Sequence, residues 1–204
     1  MTQAKLLANP KFSSEWVKLG TEIIDTYNVP LEAIEDLSVE QLNVAKDIYD
    51  YIDGTLSDDD DEDELIAEKN AKYKNILNTI LYKNKYNATQ MQIIFIMCKS
   101  EADVELIEVL MDNTIPYGIM DYVGKGIIDG HKDMIKYIKG YSLNQVYEIY
   151  AGYVEGVDVS LYADAEIPAE IMGVIRHLLQ LGINDEDIIR AIKFYGRDEQ
   201  QVVE

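Results

Sequence analysis

The stretch YSLNQVYEIYAGYVEGVDVSLYADAEIPAEIMGVIRHLLQLGI, residues 141–183, contains one helical pattern twice. Ser142 is followed three residues later by Gln145, the spacing of a capping box in which each side chain binds a backbone N–H at the helix start. Tyr141 and Val146 stand at the two ends of a hydrophobic staple around this box. The pattern therefore predicts a helix that begins just after Ser142.

The same helix start recurs along the chain. The apolar residue that opens it stands at Phe12, Leu37, Tyr86, Ile115, Tyr141 and Ile167. In the first copy Trp16 stands in place of the glutamine. In two other copies Pro116 and Pro168 stand in place of the capping residue. Proline suits the first turn of a helix because the N–H that it lacks would be unpaired there. The starts lie roughly 26 residues apart, but one interval is about twice as long and could hold a degenerate copy. We therefore expect an all-α, helical-repeat, solenoid-like stack of about seven or eight units.

Apolar residues within each unit keep helical spacing, and glycine closes several helices. Val146, Ile149 and Tyr153 lie at i, i+3 and i+7, the spacing of one helix face. Glycines that tolerate the left-handed conformation of a helix end follow such stripes at Gly130, Gly156 and Gly182. The segment VDVSLYA, residues 157–163, alternates apolar and polar residues. A short strand therefore competes there with an extended connector or a short second helix.

Ten residues of the quoted stretch match a longer consensus, aromatic-x-x-x-Gln-Met-x-x-Ile-x-x-Gly-x-x-x-Gly-x-Asp-Val-Ser-x-Tyr-Ala. They are Tyr141, Gln145, Ile149, Gly152, Gly156, Asp158, Val159, Ser160, Tyr162 and Ala163. Val146 stands where the consensus has methionine. The stretch thereby resembles the short helical repeat of uncharacterised Firmicutes phage and mobile-element proteins. This resemblance implies an origin in a phage or integrated element of a low-GC Gram-positive host, and it brings no catalytic residues with it.

Charge and composition limit the classes of function. The chain carries 38 acidic and 18 basic residues, a formal net charge of −20. Such a field repels nucleic acids and anionic membranes and attracts basic surfaces. Cys98 is the lone cysteine, so a buried apolar role suits it better than a disulfide or a zinc site. We expect no cofactor or metal, and we expect a soluble protein of the bacterial cytoplasm because neither a signal peptide nor a membrane-length apolar run is evident.

The segment SDDDDEDE, residues 57–64, is the densest run of charge. Like charges extend a chain, so a solvated linker is the first interpretation, with an N-terminal helical lobe over residues 1–56 and a helical-repeat domain over residues 65–204. A contact strip for a basic partner and a calcium loop are the alternatives. A calcium loop of the EF-hand type would take its ligands from Asp53, Thr55, Ser57, Asp59, Asp61 and Glu64. Its turn would need a glycine at the sixth position, but this chain has Asp58 there.

Three other patterns have simpler explanations than a binding site. Lysines interleave with tyrosines in residues 68–87, where internal charge balance beside the acidic run is a better explanation than a nucleic-acid strip. The segment GKGIIDG, residues 124–130, departs from the dinucleotide fingerprint and coincides with a predicted helix end. Most of the fifteen tyrosines suit cores, whereas Tyr147 and Tyr195 are candidates for exposure at an interface.

Two functions of different classes fit these observations. Neither His131 nor His177 has a metal-binding pattern, and no local motif pairs either with Cys98, so we expect a non-catalytic protein. The first function is an inhibitor whose carboxylates imitate phosphates and occupy the nucleic-acid-binding surface of a host defence nuclease, as an anti-CRISPR-like or anti-restriction-like DNA mimic. Its expected contacts are Asp58, Asp59, Asp60, Asp61, Glu62, Asp63, Glu64, Glu155, Asp158, Asp164, Glu166, Glu170, Asp185, Glu186 and Asp187. The alternative is a non-catalytic scaffold or adaptor, which could also form homo-oligomers.

Overall fold

Regular structure in the described part of the chain is helical. The computed structural model describes Leu6 and residues 9–55, 64–82, 85–183 and 186–188. The elements are α1 (Ser14–Tyr27), α2 (Leu31–Ile34), α3 (Val39–Thr55), α4 (Glu64–Tyr82), α5 (Ala88–Lys99), α6 (Val104–Leu110), α7 (Tyr117–Ile128), the 3-10 helix η1 (Lys132–Tyr137), α8 (Leu143–Glu155), the 3-10 helix η2 (Val159–Leu161) and α9 (Ala169–Gln180). The all-α prediction is confirmed. The strand alternative for residues 157–163 is wrong, because this segment forms η2.

All six predicted helix starts are confirmed. The six helices α1, α3, α5, α7, α8 and α9 each begin two residues after the predicted apolar residue. Complete capping boxes join Asn87 to Gln90 and Ser142 to Gln145. The same two bonds join Ser38 to Gln41, at 2.8 and 3.2 Å. Local side chains therefore satisfy N–H groups that the first helical turn leaves unpaired.

These six helices bury the same two positions. The fourth residue after the cap is buried in every case: Val17, Leu42, Met91, Met120, Val146 and Met172. The seventh is buried as well: Gly20, Ala45, Ile94, Val123, Ile149 and Ile175. Residues three apart lie on one helix face, so each helix presents an equivalent stripe to the core.

The third helical residue, N3, bonds the start of the next unit in four of these helices. Its side-chain N–H donates to the carbonyl oxygen of the apolar residue that opens the next start, an interaction we call the N3 clamp. The four clamps are Trp16 to Leu37 (2.8 Å), Gln41 to Tyr86 (2.7 Å), Gln90 to Ile115 (3.1 Å) and Gln145 to Ile167 (2.8 Å). In α7 and α9 the N3 residues are Ile119 and Ile171, which have no side-chain donor. The glutamine thus serves both its own cap and the neighbouring loop.

The first compact unit, residues 1–117, arranges its described helices in two layers. In one layer α1 packs on α3 and α3 on α5, and in the other α2 packs on α4 and α4 on α6. Contacts of α1 with α2, of α3 with α4, and of α5 with both α4 and α6 join the layers. Aromatic pairs reinforce the first layer, with Tyr27 stacked on Tyr49 and Tyr51 edge-on to Phe95.

The long interval between the starts at Leu37 and Tyr86 contains two long helices, α3 and α4. Helix α4 contacts α2 and α6, the short helices that follow α1 and α5. It therefore occupies the position of a second helix within one long unit. A degenerate extra copy is not needed to account for the doubled interval.

The second compact unit covers residues 118–204. Within it α8 packs on α9 and on η2. Gly156 ends α8 with a φ of 71°, and the N–H groups of Gly156 and Val157 return to the carbonyls of Tyr153 and Gly152. This is a Schellman motif, and Gly130 and Gly182 end their helices with φ values of 94° and 72°. The predicted role of these three glycines is confirmed.

The division between the compact units differs from the predicted lobes at 1–56 and 65–204. Helices from both sides of the acidic run pack together, because α3 contacts both α4 and α5, and the boundary lies at residues 117 and 118. Residues 57–63 of the acidic run lie outside the described residues. Of the helices that the structure describes, none has the length and apolar character needed to cross a membrane.

Candidate protein-binding surfaces

The first candidate surface is the acidic loop, residues 155–170, which connects α8 to α9. It begins with the last residue of α8, contains η2, and ends in the first turn of α9. The loop contains neither lysine nor arginine. Five of the carboxylates predicted as partner contacts lie here: Glu155, Asp158, Asp164, Glu166 and Glu170. The last four are exposed.

Backbone hydrogen bonds hold two of these carboxylates in place. The Oδ1 atom of Asp158 accepts the Ser160 N–H at 3.0 Å and caps η2. The Oδ1 atom of Asp164 accepts the Glu166 N–H, also at 3.0 Å. Such Asx turns order the local backbone. Both carboxylates therefore present their charge from a structured loop.

Arg176 partly neutralises the beginning of the acidic loop. Its Nε atom lies 2.9 Å from Glu148, and its NH1 atom lies 2.5 Å from Glu155. The three side chains are largely shielded from solvent, with relative exposures of 17%, 16% and 26%. This network ties α9 to α8, so Glu155 has a structural role that the sequence pattern did not reveal.

The remaining predicted contacts are dispersed or lie outside the described residues. Glu64 is exposed in the first turn of α4, where a negative charge favours the helix dipole. Glu186 and Asp187 are exposed as well. Outside the described residues are Asp58, Asp59, Asp60, Asp61, Glu62, Asp63 and Asp185.

A second candidate surface, the aromatic face, is formed by α7 and α8. Tyr122 lies edge-on to Tyr147, with ring centroids 5.4 Å apart, and tilted against Tyr150 at 5.6 Å. Leu143 and Val154 extend the face along α8. The exposed fractions of Leu143, Tyr147 and Val154 are 44%, 44% and 60%. The exposure predicted for Tyr147 is confirmed, whereas Tyr195 lies outside the described residues.

Charged groups border the aromatic face on α7. Lys125 bonds Asp121 at 2.6 Å, and its ammonium lies 5.7 Å from the ring centroid of Tyr122. The hydroxyl of Tyr150 donates to Asp129 at 3.3 Å. Partial burial, followed by the charge of Asp129, raises the pKa of Tyr150, so this hydroxyl remains a donor at neutral pH. Sequence reasoning missed this face, although Leu143, Tyr147 and Val154 share one helical stripe.

The histidines, the cysteine and the lysine strip lie in structural surroundings. Cys98 is fully buried, and burial raises the pKa of its thiol to about 12. His131 stacks on Tyr153 with ring centroids 4.7 Å apart. Lys69 pairs with Glu101 at 2.8 Å, in agreement with internal charge balance. Within the described ranges, no three histidine, cysteine, aspartate or glutamate side chains are grouped as metal ligands would be.

The segment at residues 124–130 forms a helix end. Gly124 and Gly126 are buried in α7, and a Cβ atom on Gly126 would lie 2.4 Å from the Cγ of Met134. Gly126 therefore permits close packing of η1 on α7.

No protein-family model, curated protein or solved structure matches this chain.

Proposed function

We propose that this chain is a non-catalytic, protein-binding inhibitor that occupies the nucleic-acid-binding surface of a host defence nuclease. In this proposal it acts in the cytoplasm of a Gram-positive host and comes from a phage or mobile element. The observation that carries the proposal is the acidic loop. Four carboxylates, those of Asp158, Asp164, Glu166 and Glu170, are exposed within sixteen residues that contain no basic side chain. Asp158 and Asp164 are held by backbone N–H groups.

Ordered carboxylates suit mimicry of nucleic acid better than mobile ones. A flexible acidic tail must be ordered on binding, and this ordering reduces affinity. Carboxylates that are already positioned can meet the phosphate-binding lysines and arginines of a nuclease without that loss. The net charge of −20 would also accelerate association with a basic partner at low ionic strength.

The proposal includes a solenoid-like stack of helix pairs as the framework for the loop. The same buried positions recur in six helices, and the N3 clamp recurs at four junctions. In such arrays each unit contacts its neighbours and builds a continuous core.

Amide substitutions test the contribution of the acidic loop. The test variant combines Asp158→Asn, Asp164→Asn, Glu166→Gln and Glu170→Gln, and leaves Glu155 in its ion pair with Arg176. Asparagine can still accept a backbone N–H, so the Asx turns are retained. A matched control removes four exposed charges elsewhere: Glu15→Gln, Asp25→Asn, Glu105→Gln and Glu108→Gln. Both variants carry a net charge of −16, which is the original −20 reduced by four neutralised acids.

The assay is capture of proteins from a Gram-positive host lysate by the tagged full chain, followed by identification by mass. The proposal expects capture of a nucleic-acid-processing enzyme that elutes as salt rises and that a DNA duplex displaces. The loop variant should lose this enzyme, whereas the control variant should retain it. Capture that resists high salt, or that DNA does not displace, would contradict mimicry. Equal capture by the two variants would exclude the acidic loop as its carrier.

The aromatic face favours a second candidate, a scaffold or adaptor. Exposed tyrosine and aliphatic side chains supply contact area that does not depend on charge. A salt-resistant partner that is not a nucleic-acid enzyme would support this function. If truncation of Tyr147 abolishes binding of that partner while the loop variant binds it fully, the scaffold function is distinguished from mimicry.

A further inference from the structure

We infer that the aromatic face of α7 and α8 binds arginine side chains of a basic protein partner. This inference deepens the proposed function, on which the basic character of the partner rests. The face combines exposed aromatic rings with carboxylates along its border. Guanidinium groups are recognised by this combination, because they stack on a ring while donating hydrogen bonds in their plane.

Carboxylates outnumber cations along the α7 border of the aromatic face. Asp121 pairs with Lys125 at 2.6 Å, and Asp129 accepts the Tyr150 hydroxyl at 3.3 Å. These two carboxylates and one cation leave the border with an excess of one negative charge. A basic segment would complement this excess.

The aromatic face already holds one cation. The ammonium of Lys125 lies over the ring of Tyr122 while it bonds Asp121. This arrangement is an internal example of the contact we infer, with a lysine in place of the partner's arginine. Tyr147 directly follows the buried Val146 on α8 and is itself 44% exposed. It offers a second ring to an incoming guanidinium group.

The charge of the chain argues for a basic partner over a second copy of itself. Two molecules that each carry −20 repel one another at low ionic strength. An arginine-bearing segment gains attraction from the same field. It can also cover Leu143 and Val154 with its aliphatic stems, because arginine carries an apolar stem below its charged head.

A peptide probe tests the face directly. The probe is an amphipathic peptide of about 16 residues with arginine at every fourth position, compared with versions in which citrulline or lysine replaces each arginine. Citrulline retains the planar shape of arginine without its charge. Calorimetric titration of the full chain measures affinity, and NMR follows the ring signals of Tyr122, Tyr147 and Tyr150.

The expected result is binding of the arginine peptide, weaker binding of the lysine peptide, and loss of binding with citrulline. Tyr147→Ala should weaken the arginine peptide about tenfold, within the range of a desolvated cation–π contact. Ile96→Ala is the matched control, because Ile96 is also 44% exposed but lies on α5. Since both variants keep the net charge of −20, general attraction to the peptide is the same in both.

Three results would overturn the inference. These are binding of the citrulline peptide as tight as that of the arginine peptide, an unchanged affinity in Tyr147→Ala, and ring signals that do not shift. The proposed function fails separately, when DNA does not displace the captured partner. A chain whose captured enzyme depends on the acidic loop but not on Tyr147 would keep the function and refute this role of the face.

Discussion

Removal of the N3 clamp of Gln90 should destabilise the first compact unit, because buried backbone groups lose their hydrogen bonds. Gln90 is 4% exposed. Its Oε1 accepts the Asn87 N–H at 3.1 Å, and its Nε2 donates to Asn113 and Ile115 at 3.2 and 3.1 Å. Gln90→Ala removes all three bonds and leaves the Ile115 carbonyl, at a buried contact, without its donor. The matched control is Gln92→Ala on the same helix, where Gln92 is partly exposed.

The lost bonds to Asn87 and Asn113 cost about 1 kcal/mol each, and the buried Ile115 acceptor left without a donor costs about 1–3 kcal/mol. Alanine regains a few tenths of a kcal/mol through its higher helix propensity. The expected loss is therefore about 3–4 kcal/mol, or roughly 6–16 °C in Tm for a chain of this size. Gln92→Ala should stay within about 0.5 kcal/mol of the parent.

Urea unfolding provides the assay. Trp16 is the lone tryptophan and lies in the same compact unit as Gln90, so its fluorescence reports the unit that carries the substitution. Linear extrapolation gives the free energy of unfolding for each variant. A loss in Gln90→Ala no larger than that in Gln92→Ala would refute the clamp as a stabilising contact.

A carboxyl at the same position isolates the role of the donor. Gln90→Glu keeps an acceptor for the Asn87 N–H but directs carboxylate oxygens at the carbonyls of Asn113 and Ile115. The introduced carboxyl should have a folded pKa above its unfolded value of about 4.3. Stability then falls as pH rises from the unfolded to the folded pKa. The difference from the parent should therefore shrink below about pH 4, and a difference independent of pH would contradict this account.

Three further predictions concern single positions. Gly152→Ala would place a Cβ 1.8 Å from the Tyr162 hydroxyl, so it should lower the free energy of unfolding by at least about 1–3 kcal/mol. The control is Gly173→Ala, whose Cβ would meet only the Glu148 carboxylate at 3.2 Å. It should change the free energy of unfolding by less than about 1 kcal/mol. Glu101→Gly should stabilise the chain by less than about 1 kcal/mol in thermal unfolding. Glycine adopts the φ of 56° at this position without strain, and this gain exceeds the loss of the exposed ion pair with Lys69. The Cys98 thiol should react with a thiol reagent at pH 8 only as fast as the protein opens, because burial raises its pKa to about 12; rapid labelling of the folded chain would contradict its burial.

The positions where the main helices begin and the way they end follow from the amino-acid sequence alone. The box at Ser142 and Gln145 acts within four residues, and the left-handed glycine at Gly156 acts within six. Both interactions are local, so their partners can be read directly from the chain. The same holds for Met91 and Ile94, whose burial follows from the apolar stripe of α5.

The surfaces that the helices share, and those that remain exposed, depend on tertiary packing. The N3 clamp of Gln41 reaches Tyr86, 45 residues further along the chain, and Arg176 binds Glu148 from 28 residues away. An amphipathic stripe indicates that a helix face can be buried, but the neighbour that covers it depends on long-range packing. Leu143, Tyr147 and Val154 form such a stripe and remain exposed, because α8 turns its other stripe, with Val146 and Ile149, to the core.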